Sequence, residues 1–265
     1  MSGRRLVPVP QAVVDRLWAA GCVAADEEAE ELVVAAPDEA TLEAWLARRE
    51  QGEPLAWITG SLTFCGRPLR VAPGVYVPRY QTEDLARQAA ALLAAVPAPA
   101  PARPRAADLC TGAGAIAAHL RAEVPAATVV GVDLEPRAVA CARTNGVPAL
   151  VGDLGRPPLR PGRFDLVTAV APYVPTSEIA YLPADVRRYE PRRALDGGTD
   201  GLDLVRRVVE AAGELLRRPG GWLAIEIGGD QDEALHPTLA ATGFGPATPW
   251  YDEDGDLRGL AAPAR

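Results

Sequence analysis

The alternation of apolar runs and amphipathic helical segments after Ala106 is the feature that most constrains the fold of this chain. Short runs rich in Val, Ile, Leu and Ala are separated by segments with helical periodicity, in the order AADLC, GAIAAHLRAEV, ATVVGVDL, PRAVACARTNG, PALVGDL, FDLVTAVA, LDLVRRVVEAAGELLRR and GGWLAIEIG. Strands that alternate with helices pair in parallel, and the helices cover both faces of the sheet. We therefore predict an α/β fold with a doubly wound sheet. The last stretch, ATPWYDEDGDLRGLAAPA, contains an Asp-Gly turn signal and predicts a hairpin.

The chain before this alternation has a different pattern. From Pro10 to Arg49 the sequence predicts helices, one of them capped by Asp38, and it places Leu17, Trp18, Leu42, Trp45 and Leu46 on apolar stripes that pack a small helical domain. Short β-branched runs over 53–79 predict a hairpin, QTEDLARQAAALLAAV predicts a helix, and PAPAPARPR at 97–105 predicts a stiff connector. We expect a small helical domain at 1–52, with a substrate-recognition surface on it as the second interpretation, a linker at 53–80 and an α/β domain at 81–265.

Composition narrows the class of protein. The 265 residues are 48% hydrophobic and carry a formal net charge of -8, which argues against a general nucleic-acid binder. No segment approaches the roughly 18–20 apolar residues that span a bilayer, and the N-terminus lacks the apolar core of a signal peptide. The four cysteines form no CxxC pair and only two histidines are present, so we predict no metal site. These features predict a cytoplasmic globular enzyme that binds neither membrane nor nucleic acid.

Polar and glycine residues recur where the predicted strands end, which is where open parallel sheets bind ligands. In DLCTGAGAIA, Gly112 and Gly114 allow the backbone to approach a ligand at the start of a helix. Asp133 ends the next strand, where a carboxylate accepts hydrogen bonds from ribose hydroxyls, and Asp153 ends the third, within reach of an adenine amino group. NAD and S-adenosylmethionine both fit this set. Asp108, suited to the methionine ammonium group, and the aromatic-proline loop after the fourth strand favour S-adenosylmethionine.

Four long stretches resemble the HemK-like family, the release-factor glutamine methyltransferases. They are GEPLAWITGSLTFCGRPLRVAPGVYVPRYQTED, DLCTGAGAIA, EPRRALDGGTDGLD and GGWLAIEIGGDQ, and the similarity covers almost the whole chain. The resemblance implies a helical N-terminal domain, a hairpin linker and a Rossmann-like seven-stranded methyltransferase domain. It also implies that S-adenosyl-L-methionine binds here and leaves as S-adenosyl-L-homocysteine. The cofactor-binding residues expected on this basis are Asp108, Thr111, Gly112, Gly114, Asp133, Leu134, Asp153, Leu154 and Val170.

Three positions depart from the family pattern. Cys110 replaces a glycine of the cofactor turn, and the family segment PRPETE becomes PRYQTE at 78–83. The family motif NPPY becomes VAPY at 170–173. In the family, the Asn side chain and the next carbonyl accept hydrogen bonds from an acceptor NH₂ group, and the Tyr packs against the planar amide. Val170 cannot accept a hydrogen bond, and an unpaired buried donor costs about 1–3 kcal/mol.

The lost asparagine favours an acceptor that has no NH₂ group. Our first hypothesis is methylation of a small aromatic molecule, for example C-methylation of an indole-type carbon in natural product biosynthesis. Its predicted catalytic residues are Tyr173, Pro172, Val170 and Glu190, and its predicted substrate-binding residues are Arg79, Tyr80, Thr82, Glu83, Ala171 and Tyr173. The alternative is methylation of the glutamine amide of a peptide chain release factor, with Val170 tolerated. A third reading is a catalytically silent module that binds S-adenosylmethionine.

Overall fold

A unit of helices begins the part of the chain that the computed structural model describes, residues 8–97 and 103–265. It consists of α1 (Gln11–Ala19), α2 (Ala25–Ala35), α3 (Glu39–Glu50) and the short α4 (Leu55–Thr59). Leu17, Leu32 and Leu46 are completely buried between these helices. Asp38 caps α3, because its side chain accepts a hydrogen bond of 2.7 Å from the backbone N–H of Thr41. The predicted helical unit and its cap are confirmed.

Trp18 does not pack in this unit as predicted. Its side chain is 55% exposed, whereas its neighbour Leu17 is completely buried. Successive helical residues lie about 100° apart around the axis, so a helix that turns Leu17 inward turns the next residue toward solvent. Leu42 and Trp45 are half-buried and pack against the same apolar cluster. The apolar stripe that the helices contribute to the core of this unit is therefore narrower than predicted.

A hairpin and a helix follow the helical unit. Strands β1 (Ser61–Phe64) and β2 (Arg67–Arg70) pair antiparallel, and the turn residues Cys65 and Gly66 both have positive φ angles, 48° and 73°. Helix α5 (Thr82–Ala94) comes next, as predicted. Most of the predicted connector at 97–105 lies outside the described residues. The three-domain division at 1–52, 53–80 and 81–265 stays a prediction.

Seven strands of the described residues form one sheet. In spatial order they are β5 (Ala149–Val151), β4 (Thr128–Asp133), β3 (Arg105–Leu109), β6 (Leu166–Ala169), β7 (Trp222–Glu226), β9 (Leu257–Pro263) and β8 (Thr248–Tyr251). The first five pair in parallel, and β9 runs antiparallel to both of its neighbours. This arrangement confirms the Rossmann-like α/β fold and its closing hairpin.

Helices cover both faces of this sheet, because neighbouring strand residues point to opposite sides. Ala106 packs in one core with residues of α5, α6 (Ala115–Glu123) and α7 (Pro136–Thr144), and Ala107 packs in a second core with residues of α9 (Asp203–Leu215) and α10 (Gln231–Ala241). Helix α10, which contains a proline, was not predicted. A short helix, α8 (Ala184–Tyr189), lies in the long segment between β6 and α9. None of the described helices is long and apolar enough to cross a bilayer.

Candidate active site

A cavity of about 640 Å³ opens at the carboxyl ends of the parallel strands. Its volume is typical of a site for a small molecule or cofactor. Two groups of lining residues divide it. We call one group the cofactor end, formed by Asp108, Cys110, Thr111, Gly112, Asp133, Leu134, Asp153 and Leu154. We call the other the acceptor end, formed by Tyr76, Arg79, Gln81, Thr82, Val170, Ala171, Pro172, Tyr173, Glu226 and Arg258.

The turn between β3 and α6 uses its two glycines differently. Both have positive φ, 55° at Gly112 and 82° at Gly114. A Cβ atom at Gly112 would have no heavy atom within 4 Å, so this backbone faces open space in the cavity wall. A Cβ atom at Gly114 would lie 3.0 Å from the side chain of Ala142, on α7. Gly114 does not line the cavity, and the predicted cofactor contact there is replaced by close packing between α6 and α7.

Cys110 occupies the same turn at a φ of 53°, in the left-handed region that favours glycine. A side chain in this region costs about 1–2 kcal/mol, so the replacement of the family glycine is tolerated at a modest loss of stability. Burial raises the pKa of the Cys110 thiol well above its usual range. Cys110 is therefore a neutral wall residue rather than a reactive thiolate.

Asp133 connects β4 to this turn through both of its carboxylate oxygens. Oδ2 accepts a hydrogen bond of 2.8 Å from the backbone N–H of Gly112, and Oδ1 accepts one of 2.9 Å from that of Glu135. Burial raises the pKa of Asp133, and the backbone donors oppose that shift. Each carboxylate oxygen has a second lone pair for a further donor. A cavity-lining carboxylate fixed in this way fits the hydroxyls of a ribose.

Asp108 is buried beneath the turn. Its Oδ2 accepts a hydrogen bond of 2.6 Å from the Thr111 hydroxyl, and its Oδ1 accepts one of 2.8 Å from the Thr168 hydroxyl. Burial raises the pKa of Asp108 to about 6, and the two hydroxyls oppose the shift. Its carboxyl group still lines the cavity, which suits a cationic group of the cofactor.

The outer wall of the cofactor end is formed by more exposed residues. Asp153 accepts a hydrogen bond of 2.7 Å from the backbone N–H of Gly155 and pairs with Arg207. Leu134 and Leu154 add apolar surface to the lining. All of the predicted cofactor residues except Gly114 thus line one cavity, and their contacts with the cofactor stay predictions.

At the acceptor end, the sheet register places Val170 beside Glu226. Ala169 of β6 pairs with Ile225 of β7, so Val170 and Glu226 follow side by side where these strands end. Glu226 is only 4% exposed. Its Oε1 accepts a hydrogen bond of 3.0 Å from the Tyr173 hydroxyl, while no donor within the described ranges reaches its Oε2. Burial raises the pKa of Glu226, and the hydroxyls of Thr82 and Tyr173 oppose that shift.

An ion pair supports another part of the acceptor end. Arg79 lines the cavity, lies 5.0 Å above the ring centre of Tyr76, and pairs with Glu190 at 2.5 Å. Glu190 is buried and its pKa is raised by burial, with Arg79 opposing the shift. Glu190 does not line the cavity, so this geometry does not support its predicted catalytic role, and its contact with the site runs through the ion pair with Arg79.

Two predicted substrate contacts, Tyr80 and Glu83, also lie outside the cavity. Tyr80 is 79% exposed, and Glu83 accepts a hydrogen bond of 2.8 Å from the backbone N–H of Cys65 in the hairpin turn. The chain enters α5 here, and the helical rotation turns Gln81 and Thr82 toward the cavity while Tyr80 and Glu83 face away.

Four residues that line the acceptor end were not predicted from the sequence: Tyr76, Gln81, Arg258 and Glu226. The signal available for Glu226 was a carboxylate inside the apolar run WLAIEIG.

Helix α8 joins the cavity to the helical unit. Its residues Asp185 and Val186 line the cavity. Its Tyr189 hydroxyl donates a hydrogen bond of 3.0 Å to the Gln51 carbonyl oxygen, and the Tyr189 ring packs edge-on against Trp57 with ring centres 6.4 Å apart. One face of α8 is thus fixed to the N-terminal region, while another forms part of the site.

The sheet order and the residues at its carboxyl ends define an S-adenosylmethionine-dependent methyltransferase. A family model described as "Methyltransferase domain" matches residues 106–189. Among solved structures, similarity extends to the ribosomal protein L11 methylase from Lactobacillus delbrueckii subsp. bulgaricus, with a TM-score of 0.50 and 15% identity over 74% of this chain and 86% of that one. The hMettl16 catalytic domain has a TM-score of 0.55 at 14% identity, over 85% of this chain and 81% of that one. At such identities these structures show the fold alone.

Sequence relatives identify the family. The chain is 42% identical to a release factor glutamine methyltransferase of Geobacter sulfurreducens, over 75% of this chain and 69% of that protein. It is 40% identical to one of Streptomyces coelicolor, over 73% and 75%, and 36% identical to one of Cereibacter sphaeroides, over 95% and 96%. The chain belongs to the release factor glutamine methyltransferase family, which is the HemK-like family. This membership in an enzyme family supports a methyltransferase over a silent binding module.

Proposed function

We propose that this enzyme methylates the side-chain amide nitrogen of a glutamine in a protein, and that the protein is a peptide chain release factor. The names of the relatives support this acceptor, and the Cereibacter sphaeroides relative matches 95% of the chain, including the helical unit. The comparisons therefore favour the second of the sequence-based hypotheses over the small aromatic acceptor. They lend no support to C-methylation or to a role in natural product biosynthesis.

The acceptor end supplies the observation that carries this proposal. A primary amide brings two N–H donors, which need two acceptors once they are buried. Glu226 offers its Oε2, which lacks a donor, and none of the described residues donates to the Ala171 carbonyl oxygen. Tyr173 lines the same cavity, and its hydroxyl donates to the other oxygen of Glu226. An aromatic ring without an N–H or O–H group would leave Oε2 of Glu226 without a donor, whereas a primary amide supplies one donor to Oε2 and one to the Ala171 carbonyl oxygen.

Each end of the cavity has a distinct part in the reaction. S-adenosylmethionine supplies an electrophilic methyl group when it is bound. At the cofactor end, Gly112 gives access to backbone N–H groups, Asp133 holds hydroxyl groups and Asp108 attracts positive charge. At the acceptor end, Tyr173 and the polar groups around it orient the amide nitrogen in line with the methyl carbon. Such positioning supplies much of the rate for a weak nucleophile.

Methyl transfer to a purified release factor tests this proposal. The enzyme is incubated with methyl-labelled S-adenosylmethionine and the release factor, and mass spectrometry locates the label. We expect one methyl group on a glutamine side chain. A release factor in which that glutamine is replaced by glutamate is the matched control and should stay unlabelled. An unlabelled wild-type release factor would contradict the proposal.

Val170 supports a second candidate, the small aromatic acceptor. Its side chain adds apolar surface where the family motif has an asparagine. A panel of indoles and phenols under the same conditions tests this candidate. If it is correct, a ring carbon takes the label, the release factor does not, and a Val170→Asn variant turns over the ring substrate no faster than wild type. Label on the protein glutamine alone excludes it.

A further inference from the structure

We propose that Glu226 takes over, in this enzyme, the hydrogen-bonding role that the family motif assigns to the residue at position 170, and that it also accepts the proton lost by the acceptor nitrogen. The proposal rests on the glutamine acceptor proposed above. It makes Glu226 a catalytic and specificity-determining residue, and it explains how a member of this family functions with valine in the NPPY motif.

The sheet geometry puts Glu226 in the right place. Val170 and Glu226 follow the paired residues Ala169 and Ile225, so they are lateral neighbours at the ends of two parallel strands. Side chains at such paired positions point to the same side of a sheet, and both residues line the cavity. A group that contacts the side chain of residue 170 is therefore within reach of the Glu226 carboxylate.

Among the described residues, Glu226 has a hydrogen-bond donor for only one of its two carboxylate oxygens, and the side chain of Val170 supplies none for the other. An asparagine at position 170 would bring an NH₂ donor next to this carboxylate, and valine brings none. Among the described residues, neither Oε2 of Glu226 nor the buried Thr82 hydroxyl has a partner in hydrogen-bond geometry, although this hydroxyl lies near enough to oppose the rise in the pKa of Glu226. A buried polar atom with no partner is unfavourable unless a ligand satisfies it. The acceptor amide is such a ligand, because one of its N–H groups can donate to Oε2, next to which Val170 offers no donor.

The transfer step balances with the carboxylate as proton acceptor. The glutamine nitrogen forms a bond to the methyl carbon while the bond between that carbon and sulfur breaks, and the electron pair of the broken bond stays on sulfur. One proton of the nitrogen passes to Glu226 Oε2 and then to water. A carboxylate is a stronger acceptor than a neutral amide oxygen, so it polarises the N–H bond more than an asparagine does.

This role predicts a pH dependence. Four titratable or charged groups face Glu226 from the neighbouring elements: Tyr76, Arg79, Tyr173 and Arg258. Because burial raises the pKa of Glu226, the carboxylate form is lost at a higher pH than for an exposed glutamate. At saturating S-adenosylmethionine, kcat/KM for the release factor should rise with pH as Glu226 ionises and then reach a plateau. Glu226→Gln should remove this rising limb.

A double-mutant experiment tests the proposal. The readout is methylation of the release factor by wild type, Glu226→Gln, Val170→Asn and the double variant, with folding checked by circular dichroism. We expect Glu226→Gln to lower kcat/KM about 10- to 100-fold, the loss typical of one charged hydrogen bond. Val170→Asn in that background should restore at least about fivefold, because its amide oxygen supplies the missing acceptor. In wild type the same substitution should change kcat/KM less than about threefold.

The control is Asp165→Asn, which alters a buried carboxylate at the other end of β6 that pairs with Arg217. It should leave kcat/KM for the release factor unchanged. If Glu226→Gln is as active as this control, or if Val170→Asn rescues nothing, the inference fails while the proposed function stands. If wild type leaves the release factor unmethylated, both fail together.

Discussion

The two ends of the cavity differ in how completely the protein satisfies its own buried carboxylates. At the cofactor end, both oxygens of Asp108 accept hydrogen bonds from threonine hydroxyls, and both oxygens of Asp133 accept them from backbone N–H groups. At the acceptor end, Glu226 has a donor for only one oxygen, and the buried Thr82 hydroxyl has no partner among the described residues. The first end is preformed by contacts within the protein, and the second keeps polar atoms free that, in our proposal, the reacting molecule satisfies.

The largest effect is expected from a substitution at Gly114, in the turn of the cofactor end. In Gly114→Val the side chain would meet Ala142 and Val147, and the residue would need a φ of 82°. Strain and overpacking together should lower the free energy of unfolding by about 2–5 kcal/mol, measured by urea denaturation, and S-adenosylmethionine binding should be lost.

Gly112→Ala is the matched control for this turn. Its Cβ atom meets no heavy atom within 4 Å, so only the left-handed φ is penalised, at about 1–2 kcal/mol. Calorimetry should nevertheless show weaker S-adenosylmethionine binding, because the new methyl group faces the cavity. Equal losses of stability in the two variants would contradict the different roles of these glycines.

An intermediate effect is expected from protonating Asp108. Its pKa is raised to about 6 by burial, so the carboxyl group becomes neutral as the pH falls through 6. A neutral Asp108 no longer attracts a cationic cofactor, and the calorimetric Kd for S-adenosylmethionine should rise about tenfold per pH unit below 6 and level off above 7. The dependence should disappear in Asp108→Asn. A Kd that is constant from pH 5 to 8 in wild type would show that the Asp108 carboxylate does not bind the positive charge of the cofactor.

The smallest effect is expected at Tyr80, beside the acceptor end but outside the cavity. Because its side chain is 79% exposed, Tyr80→Ala should change the free energy of unfolding by less than about 0.5 kcal/mol. The Kd for S-adenosylmethionine and the KM for the release factor should stay within about threefold of wild type in calorimetry and steady-state assays. A tenfold rise in the KM for the release factor, with the Kd for S-adenosylmethionine unchanged, would show that Tyr80 contributes to substrate binding.

The fold was largely predictable because its signals are local. The alternation after Ala106 predicted the parallel strands and most of the covering helices, and the Asp254-Gly255 signal predicted the last hairpin. Helix α4 was missed because Trp57, Ile58 and Thr59 have side chains that favour strands. Helix α10 was missed because Pro237 interrupts its pattern.

The residues that line the cavity were predictable at the cofactor end and only in part at the acceptor end, while their contacts with cofactor and acceptor stay predictions. Asp108 lies just before the turn in the chain, and Asp133, 21 residues after Gly112, ends the next strand, so the strand-turn-helix-strand pattern itself suggests their function. Glu226 lies 53 residues from Tyr173, the residue whose hydroxyl it binds, and only strand pairing brings the two together. Tyr80 and Glu83 lie outside the cavity, which the sequence could not predict because it fixes neither the direction of the turn that leads into α5 nor how that helix is rotated about its axis.

The unpaired groups at the acceptor end set a limit on engineering this enzyme. Each buried polar atom without a partner costs about 1–3 kcal/mol, so replacing Thr82 by valine should yield a protein that melts at a higher temperature, whereas replacing Glu226 would leave the Tyr173 hydroxyl without its acceptor. A library of variants selected for heat resistance alone would therefore favour apolar side chains at the acceptor end. The same library also needs a screen for methyl transfer, because its most stable members would still bind the cofactor without reacting.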